Sequence, residues 1–207
     1  MKIVEQGFKF KVVPNGEEAL KLITEIGYVS HGTKKDVDIE RAKKFVKRHC
    51  IDSRPQHGTL LEFVDIIVTI VTDRAIANEI ERHRIATYNQ ISTRYVWENE
   101  LEVIPPLGLK ERLPKAYFHW WNSCIEAEKH YQYMKNEGAT AEECRDVLPL
   151  STATEVVMKM NLRSWRNFFY LRAEEHAHPK ARQLANMLLR EFKKRIEIVF
   201  DDLEECK

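Results

Sequence analysis

The sequence predicts an α+β protein, because amphipathic helices dominate it and a few β-branched segments stand between them. The chain has 207 residues, of which 43% are hydrophobic, and this is enough to form a sizeable core. Only seven glycines and seven prolines are present, so long disordered linkers are not expected. These observations favour one compact domain over residues 1–207.

The first part of the chain predicts one strand and two helices. Charged residues that alternate with Ile, Phe and Val indicate a strand over residues 2–13. Apolar side chains three apart indicate a helix over residues 17–26. The next helix, capped by Asp36 or Asp38, is expected to run to about Cys50.

The middle of the chain predicts a buried strand and a capped helix. β-branched residues are dense over residues 60–72, which favours a strand. Asp73 would cap the helix over residues 74–84 that follows. The chain then continues as a polar loop from Thr87 to a possible short strand over residues 95–97.

The second half predicts three long helices and one strand. A long amphipathic helix spans residues 113–137, and Thr140–Glu143 has the pattern of a capping box. Residues 151–160 favour a strand. Apolar side chains then recur at helical spacing over residues 162–176 and 179–200.

Charge and cysteine content exclude several classes of protein. Lys and Arg total 33 against 32 for Asp and Glu, and a net charge of +1 disfavours a coat for nucleic acid or an anionic membrane. No apolar run approaches membrane length and the first residues lack a signal core, so a cytoplasmic protein is expected. The four cysteines have no metal-ligand spacing, so we expect neither disulfides nor a metal site.

Residues 82–95 carry the strongest chemical signal. Three arginines, one histidine and five Thr, Ser, Asn or Gln side chains lie in this segment. Guanidinium groups match phosphate oxygens in pairs, and the neutral side chains can bind a sugar or a base edge. The ordinary alternative is a solvated helix end that runs into a polar loop. A local anion site is favoured because further arginines recur in the second half of the chain.

A second polar cluster lies on the predicted helix over residues 162–176. Asn161, Arg163, Asn167 and Arg172 occur among many aromatic residues. Taken alone, this pattern is typical of an amphipathic helix with a solvated face. Together with the first cluster, it is expected to form the second wall of a ligand pocket.

Four motifs, in order, resemble those of the flavin-dependent thymidylate synthases, and the resemblance spans roughly Ser30 to His178. The motifs are His57-Gly58-Thr59 with Glu62, Arg82-His83-Arg84 followed after seven residues by Ser92, Arg145 ahead of Val147-Leu148-Pro149, and Asn161-x-Arg163 with Asn167, Leu171-Arg172-Ala173 and His176.

The resemblance implies an activity and an architecture. Enzymes of this family transfer a methylene group from methylenetetrahydrofolate to C5 of dUMP and reduce it with a hydride from FADH2, which makes dTMP. NADPH regenerates the reduced flavin. The family also implies a central, mostly antiparallel sheet flanked by helices, and a homotetramer in which several subunits build each site.

The motif positions imply two sets of binding residues. FAD would be held by Ser30, His57, Thr59, Arg82, His83, Arg84, Asn161, Arg163 and Asn167. The nucleotide dUMP would be held by Glu79, Arg82, Gln90, Ser92, Arg94, Arg145 and Arg172. Arg172, at the pyrimidine ring, and Ser92 are the candidate catalytic residues.

Two positions depart from the family pattern. Gln90 stands where the family usually has a glutamate, and Glu79 stands where a glutamine is usual. We favour a compensated swap that conserves local charge, which predicts that these two side chains lie close together. The alternatives are a related enzyme that hydroxymethylates C5 of a pyrimidine nucleotide, a non-catalytic flavin- and nucleotide-binding homologue, and a binding module without chemistry.

Overall fold

The computed structural model describes residues 1–32, 36–96 and 99–205. The strands are β1 (Lys2–Ile3), β2 (Gly7–Val12), β3 (Asp65–Asp73), β4 (Thr87–Gln90), β5 (Glu102–Val103) and β6 (Ala153–Asn161). The helices are α1 (Gly16–Val29), α2 (Ile39–Val46), α3 (Arg74–Ile80), α4 (Leu109–Arg112), α5 (Pro114–Asn136), α6 (Ala141–Cys144), α7 (Leu162–Arg172) and α8 (Pro179–Arg195).

The main sheet has four strands in the order β2-β3-β6-β4. Two hydrogen bonds at opposite ends of β3 and β6 show that these strands are antiparallel. The Arg74 amide donates to the Thr152 carbonyl at 3.0 Å, and the Leu162 amide donates to the Val64 carbonyl at 3.0 Å. A separate parallel pair joins β1 and β5. The predicted α+β class, with an antiparallel sheet and helices, is confirmed.

The chain forms two compact units. Unit 1 comprises Met1–Phe8, Thr69–Arg82 and Tyr88–Val157, and unit 2 comprises Lys9–Val68, His83–Thr87 and Met158–Lys207. The prediction of a single domain over the whole chain stays a prediction.

The core of unit 2 is built on the aromatic face of α7. Trp165, Phe168 and Phe169 recur at helical spacing and are each no more than 1% exposed. The Trp165 ring contacts Phe192 of α8, with centroids 4.9 Å apart, and its indole N–H donates to the Ile66 carbonyl at 3.3 Å. This burial fixes the rotation of α7, so the polar residues between the aromatic ones face the surface of the unit.

The core of unit 1 includes a small cluster of Leu101, Val103 and Cys124. Only Cys124 and Tyr131 are buried on α5. Trp120 of the predicted amphipathic helix packs against this cluster, and its indole N–H donates to the Ser151 hydroxyl at 3.3 Å. Tyr117 and Met134 are half-buried, whereas Leu113 and Ala116, also expected on the inward face, are exposed, and for these two the prediction is wrong.

Two predicted strand boundaries are wrong. The predicted first strand is divided into β1 and β2. Residues Gly58–Phe63 form a 3-10 helix, and the buried strand begins only at Asp65. In that turn Leu61 is buried while Glu62 and Phe63 are both exposed, which does not match the two-residue period of a strand.

The polar loop predicted from Thr87 begins as strand β4. Its side chains alternate between exposed and half-buried, and the Tyr88 hydroxyl donates to the Ile80 carbonyl at 2.7 Å. The possible strand that follows is wrong for Tyr95 and Val96, whose amides both donate to the Ser92 carbonyl in a turn. Trp97 lies outside the described residues.

The first residues of the helices agree with the predicted N-terminal caps. Asp38, rather than Asp36, caps α2 by accepting from the Arg41 amide at 2.8 Å, and Asp73 caps α3. The capping box of Thr140 with Glu143 is confirmed. The two C-terminal helices end earlier than predicted, at Arg172 and Arg195, although the side chains of Ile196 and Phe200 are buried.

No helix in the described part of the chain is both long enough and apolar enough to cross a membrane. Cys50, Cys124 and Cys144 are buried free thiols, and Cys206 lies outside the described residues.

We predict that Gly16→Ala destabilises the protein by about 1–3 kcal/mol through overpacking. A Cβ at Gly16 would lie 2.2 Å from the Arg195 carbonyl oxygen, so the start of α1 would have to move away from the end of α8. Chemical denaturation measures the change. Gly7→Ala is the control, because a Cβ there meets nothing within 4 Å. Equal effects of the two substitutions would contradict the steric argument.

Candidate functional site

The two predicted sets of binding residues divide between the two units. All predicted flavin residues belong to unit 2 except Arg82, which is the last residue of the second segment of unit 1. All predicted nucleotide residues belong to unit 1 except Arg172. Each unit therefore carries a largely separate set of predicted binding residues.

Unit 2 contains a cavity of about 420 Å³ beside α7. Four residues of the predicted flavin set line it, namely His83, Arg84, Arg163 and Asn167. The rest of its lining combines apolar side chains with polar ones, from Glu62, Ile85, Met160 and Ser164. The structure thus brings residues of three of the sequence motifs, represented by Glu62, His83 and Arg163, together at one cavity.

Arg163 lies at the edge between this cavity and a second one. Its Nη1 lies 2.6 Å from the Glu62 carboxylate, an ion pair whose side chains are both substantially exposed. A Cβ at Gly58 would lie 3.0 Å from the Arg163 Nε, so the glycine permits close approach of the guanidinium. The neighbouring His57 and Thr59, at the start of the 3-10 helix, are exposed, and neither lines the first cavity.

The second cavity, of about 310 Å³, reveals residues that sequence reasoning missed. Arg166 and Leu203 line it together with Arg163 and Asn167. Two terminal nitrogens of Arg166 each lie 2.6 Å from a carboxylate oxygen of Asp202, and Arg166 also donates to the Val199 carbonyl. Arg166 lowers the pKa of Asp202, although burial opposes this shift. The C-terminal segment thereby holds the polar face of α7, and no sequence motif marked this pairing.

His83 and Arg172 contact each other within unit 2. The Arg172 Nε donates to the His83 Nε2 at 3.1 Å. His83 is 8% exposed and packs on the Phe168 ring, with centroids 5.0 Å apart. Burial, assisted by the positive charge of Arg172, lowers the pKa of His83 from 6.5 to about 4. The imidazole is therefore neutral near pH 7 and can accept this hydrogen bond.

Two predicted flavin residues have local structural contacts. The Asn161 side-chain oxygen caps α7 by accepting from the Ser164 amide at 2.9 Å. The Ser30 hydroxyl donates to the Gly27 carbonyl at 2.8 Å at the end of α1. Their flavin contacts stay predictions, and the same holds for Arg82, which is exposed after α3.

Unit 1 brings together two predicted nucleotide residues through a carboxylate that sequence reasoning missed. Glu142 of α6 lies 2.9 Å from the Arg94 Nε and 4.0 Å from the Arg145 Nη2. All three side chains are at least a third exposed, so the carboxylate can be exchanged for another anion. The contact between Glu142 and Arg145 could have been predicted from the sequence, because the two residues are three positions apart in a short helical segment.

The remaining nucleotide residues lie on or beside β4 and α3. The Gln90 amide nitrogen donates to the Thr154 hydroxyl at 3.2 Å, and the Ser92 hydroxyl accepts from the Arg94 amide at 3.3 Å. Glu79 is half-buried on α3. The predicted proximity of Glu79 and Gln90 stays a prediction. Among the described residues, no three His, Cys, Asp or Glu side chains are placed to hold a metal ion.

Residues 11–196 match the model of the thymidylate synthase complementing protein family. The flavin-dependent thymidylate synthase of Pyrococcus abyssi is 33% identical over 69% of this chain and 60% of its own length. The enzyme of the same name from Mycolicibacterium gilvum is 32% identical over 76% of this chain and 68% of its own length. The flavin-dependent thymidylate synthase of Thermococcus kodakarensis is 27% identical over 94% of this chain and 82% of its own length.

The fold also has a solved relative. The crystal structure of the UMP/dUMP methylase PolB from Streptomyces cacaoi, bound with 5-Br dUMP, superimposes with a TM-score of 0.83. The similarity covers 97% of this chain and 96% of that one at 16% sequence identity, so it shows the fold alone. Together, the family model and the sequence relatives show that the chain belongs to the flavin-dependent thymidylate synthase family, as its motifs predicted.

We predict a pH dependence of stability that originates at His83. Because its pKa is lower in the folded protein than the ordinary value of 6.5, the unfolded chain binds more protons between those values. This contribution to stability is present above about pH 6.5 and is lost as the pH falls towards 4. Between about pH 7.5 and pH 5, the free energy of unfolding should fall by about 2 kcal/mol more for the wild type than for His83→Gln.

Urea denaturation at equal protein concentration measures this difference. His176→Gln serves as the control, since His176 is exposed. The attribution to His83 fails if His83→Gln and the wild type lose stability equally over this pH range.

Proposed function

We propose that this protein converts dUMP to dTMP, with methylenetetrahydrofolate as carbon donor and FADH2 as hydride donor. NADPH is proposed as the reductant that regenerates the flavin. The observation that carries the proposal is the convergence of His83, Arg84, Arg163 and Asn167 on one cavity in a member of this family. These residues come from two separate motifs, so their convergence is not a consequence of sequence proximity.

The cavity in unit 2 fits a flavin by its chemistry. Arg84 and Arg163 offer guanidinium groups for an anionic or carbonyl-rich ligand, and Asn167 offers an amide. Ile85 and Met160 provide apolar surface for a ring system. The volume of about 420 Å³ lies within the usual range for ligand pockets. When bound, reduced FAD supplies the hydride, and the residues of the chain bind it, orient it and limit access of water.

The arginines of unit 1 suit the phosphate of the nucleotide. Arg94 and Arg145 lie on the same exposed carboxylate, Glu142, so a phosphate can take its place with both guanidinium groups. Ser92 and Gln90 add neutral groups that can bind a phosphate or a sugar. Ser92 is therefore proposed to bind phosphate rather than to act as a nucleophile.

Arg172 is proposed to act at the pyrimidine ring. Transfer of a carbon unit to C5 requires electron density at that carbon, which leaves negative charge on a ring carbonyl oxygen. A guanidinium held near that oxygen stabilises the charge as it develops. Arg172 suits this role because its guanidinium is already oriented by a buried neighbour rather than extended into solvent.

Self-association as a homotetramer is part of the proposal. The support is α5, a helix of 23 residues on which only Cys124 and Tyr131 are buried. Phe118 and Tyr133 are 59% and 62% exposed, and such aromatic residues are enriched at subunit interfaces. Because dUMP, folates and NADPH are metabolites of the cytoplasm, we also propose a cytoplasmic location.

Product analysis by mass spectrometry tests the function. The purified protein is incubated without oxygen with FAD, NADPH, methylenetetrahydrofolate and either dUMP or dCMP. We expect dTMP from dUMP, and a loss of at least about 100-fold in rate for Arg172→Lys, because lysine cannot form the planar fork. A hydroxymethylated product, or turnover of dCMP, would replace the proposal with the related activity that Gln90 and Glu79 suggested. Bound flavin without any product would indicate a non-catalytic homologue.

We predict that Glu142→Gln tightens the binding of dUMP by about two- to fivefold. The substitution removes a carboxylate that competes with the phosphate for Arg94 and Arg145. Titration calorimetry at low and high salt measures the affinity, and the gain should shrink as salt increases. Glu191→Gln, which breaks a comparable exposed pair with Lys194 on α8, is the matched control and should not change the affinity. Weaker binding by Glu142→Gln would show instead that Glu142 holds the arginines in place.

A further inference from the structure

We propose that His83 is a positioning residue for Arg172, whose guanidinium it holds in one plane for the pyrimidine ring of the nucleotide. The resemblance to the family places His83 among the flavin residues, and its hydrogen bond to Arg172 gives it this second task. The inference rests on the proposed function, because that function is what places Arg172 at the pyrimidine.

The contact has the geometry of a fixed hydrogen bond. The Arg172 Nε and the His83 Nε2 are 3.1 Å apart, and both residues belong to unit 2. The imidazole is 8% exposed and lies against Phe168, which is itself completely buried. Phe168 is held by Trp165 and Phe169, with ring centroids 5.5 Å away in each case. The imidazole therefore rests on the buried aromatic cluster of α7.

The protonation state of His83 matches the role of an acceptor. An imidazole that accepts at Nε2 carries its proton on Nδ1, and a doubly protonated ring could not accept at all. Burial, with the adjacent positive charge of Arg172, favours the neutral ring. A neutral acceptor at this place orients the arginine without reducing its charge, whereas a carboxylate would neutralise it.

The chemistry of arginine explains how this contact can orient the whole guanidinium group. The guanidinium is planar, so a hydrogen bond at Nε sets the orientation of both terminal NH2 groups. Those groups form the fork that pairs with carbonyl oxygens. Arg172 is the last residue of α7, so its backbone is fixed by the helix and its side chain by His83.

His83 also lines the cavity that we assign to the flavin. One imidazole thus has a surface on the cofactor cavity and a hydrogen bond to the residue proposed to act on the nucleotide. A substitution at His83 should therefore affect Arg172 even when the flavin remains bound.

Two substitutions separate the acceptor from the ring. His83→Phe keeps a ring against Phe168 but has no acceptor, whereas the amide oxygen of His83→Gln can replace Nε2. We expect the rate of dTMP formation to fall by about 10- to 100-fold in His83→Phe and to stay within about threefold of the wild type in His83→Gln. Flavin absorbance confirms that the cofactor is bound in both variants. An equal loss in both variants would overturn the proposal, and so would loss of flavin as the sole cause of the defect.

A double-mutant cycle with Arg172→Lys tests whether His83 acts through Arg172. In the Arg172→Lys background, His83→Phe should change the remaining rate by less than about twofold, because the group that it positions is absent. Multiplicative effects of the two substitutions would show that His83 acts independently, which overturns the proposal.

A spectroscopic measurement tests the contact without any activity. In protein labelled with 15N-histidine, the His83 signals, assigned by their absence in His83→Gln, should show an unprotonated Nε2 and a protonated Nδ1 near pH 7. A protonated Nε2 would overturn the positioning role even if dTMP is formed. If the wild type forms no dTMP but shows this tautomer, the proposed function fails while the hydrogen bond stands.

Discussion

The burial of the aromatic face of α7 is the interaction on which the candidate site depends. Trp165, Phe168 and Phe169 have no freedom to rotate out of the core without exposing three large rings. Because side chains three and four residues apart share a face of a helix, this burial also decides where Arg163 and Asn167 lie. The hydrophobic effect thus fixes the direction in which the polar residues of α7 face.

Most of the arginines of interest are paired with a carboxylate of the same unit. Arg163 pairs with Glu62, Arg166 with Asp202, and Arg94 with Glu142. The arginines differ in burial: the Arg166 side chain is 13% exposed, although its partner Asp202 is 39% exposed, whereas the side chains of Arg163 and Arg94 are 59% and 47% exposed. An exposed pair contributes little to stability and is readily exchanged for a phosphate, while a buried one is structural. Arg163 and Arg94 are therefore suited to ligand binding, whereas Arg166 anchors the C-terminal segment.

Arg172 also contacts a neutral imidazole, that of His83. A guanidinium that keeps its full charge is the better partner for an oxygen on which negative charge develops.

Much of this architecture could be predicted from the sequence. Caps at Asp73 and Thr140 and the helical spacing of the aromatic residues in α7 are local signals, and they predicted the elements correctly. The boundary of β3 and the existence of β4 could not be predicted in the same way. A polar strand such as Thr87–Gln90 is stabilised by hydrogen bonds to a neighbour that is distant in sequence, and local propensity contains no information on that neighbour.

The sequence by itself therefore determined the fold class, the family and the arginine-rich motifs, because these depend on residue types at short spacing. Only the tertiary structure decided which of those residues meet. The contacts of Glu142 with Arg94, of Asp202 with Arg166 and of His83 with Arg172 join residues 36 to 89 positions apart. Such contacts are set by how the helices pack on the sheet, and the free energy of that packing is carried by apolar residues elsewhere in the chain.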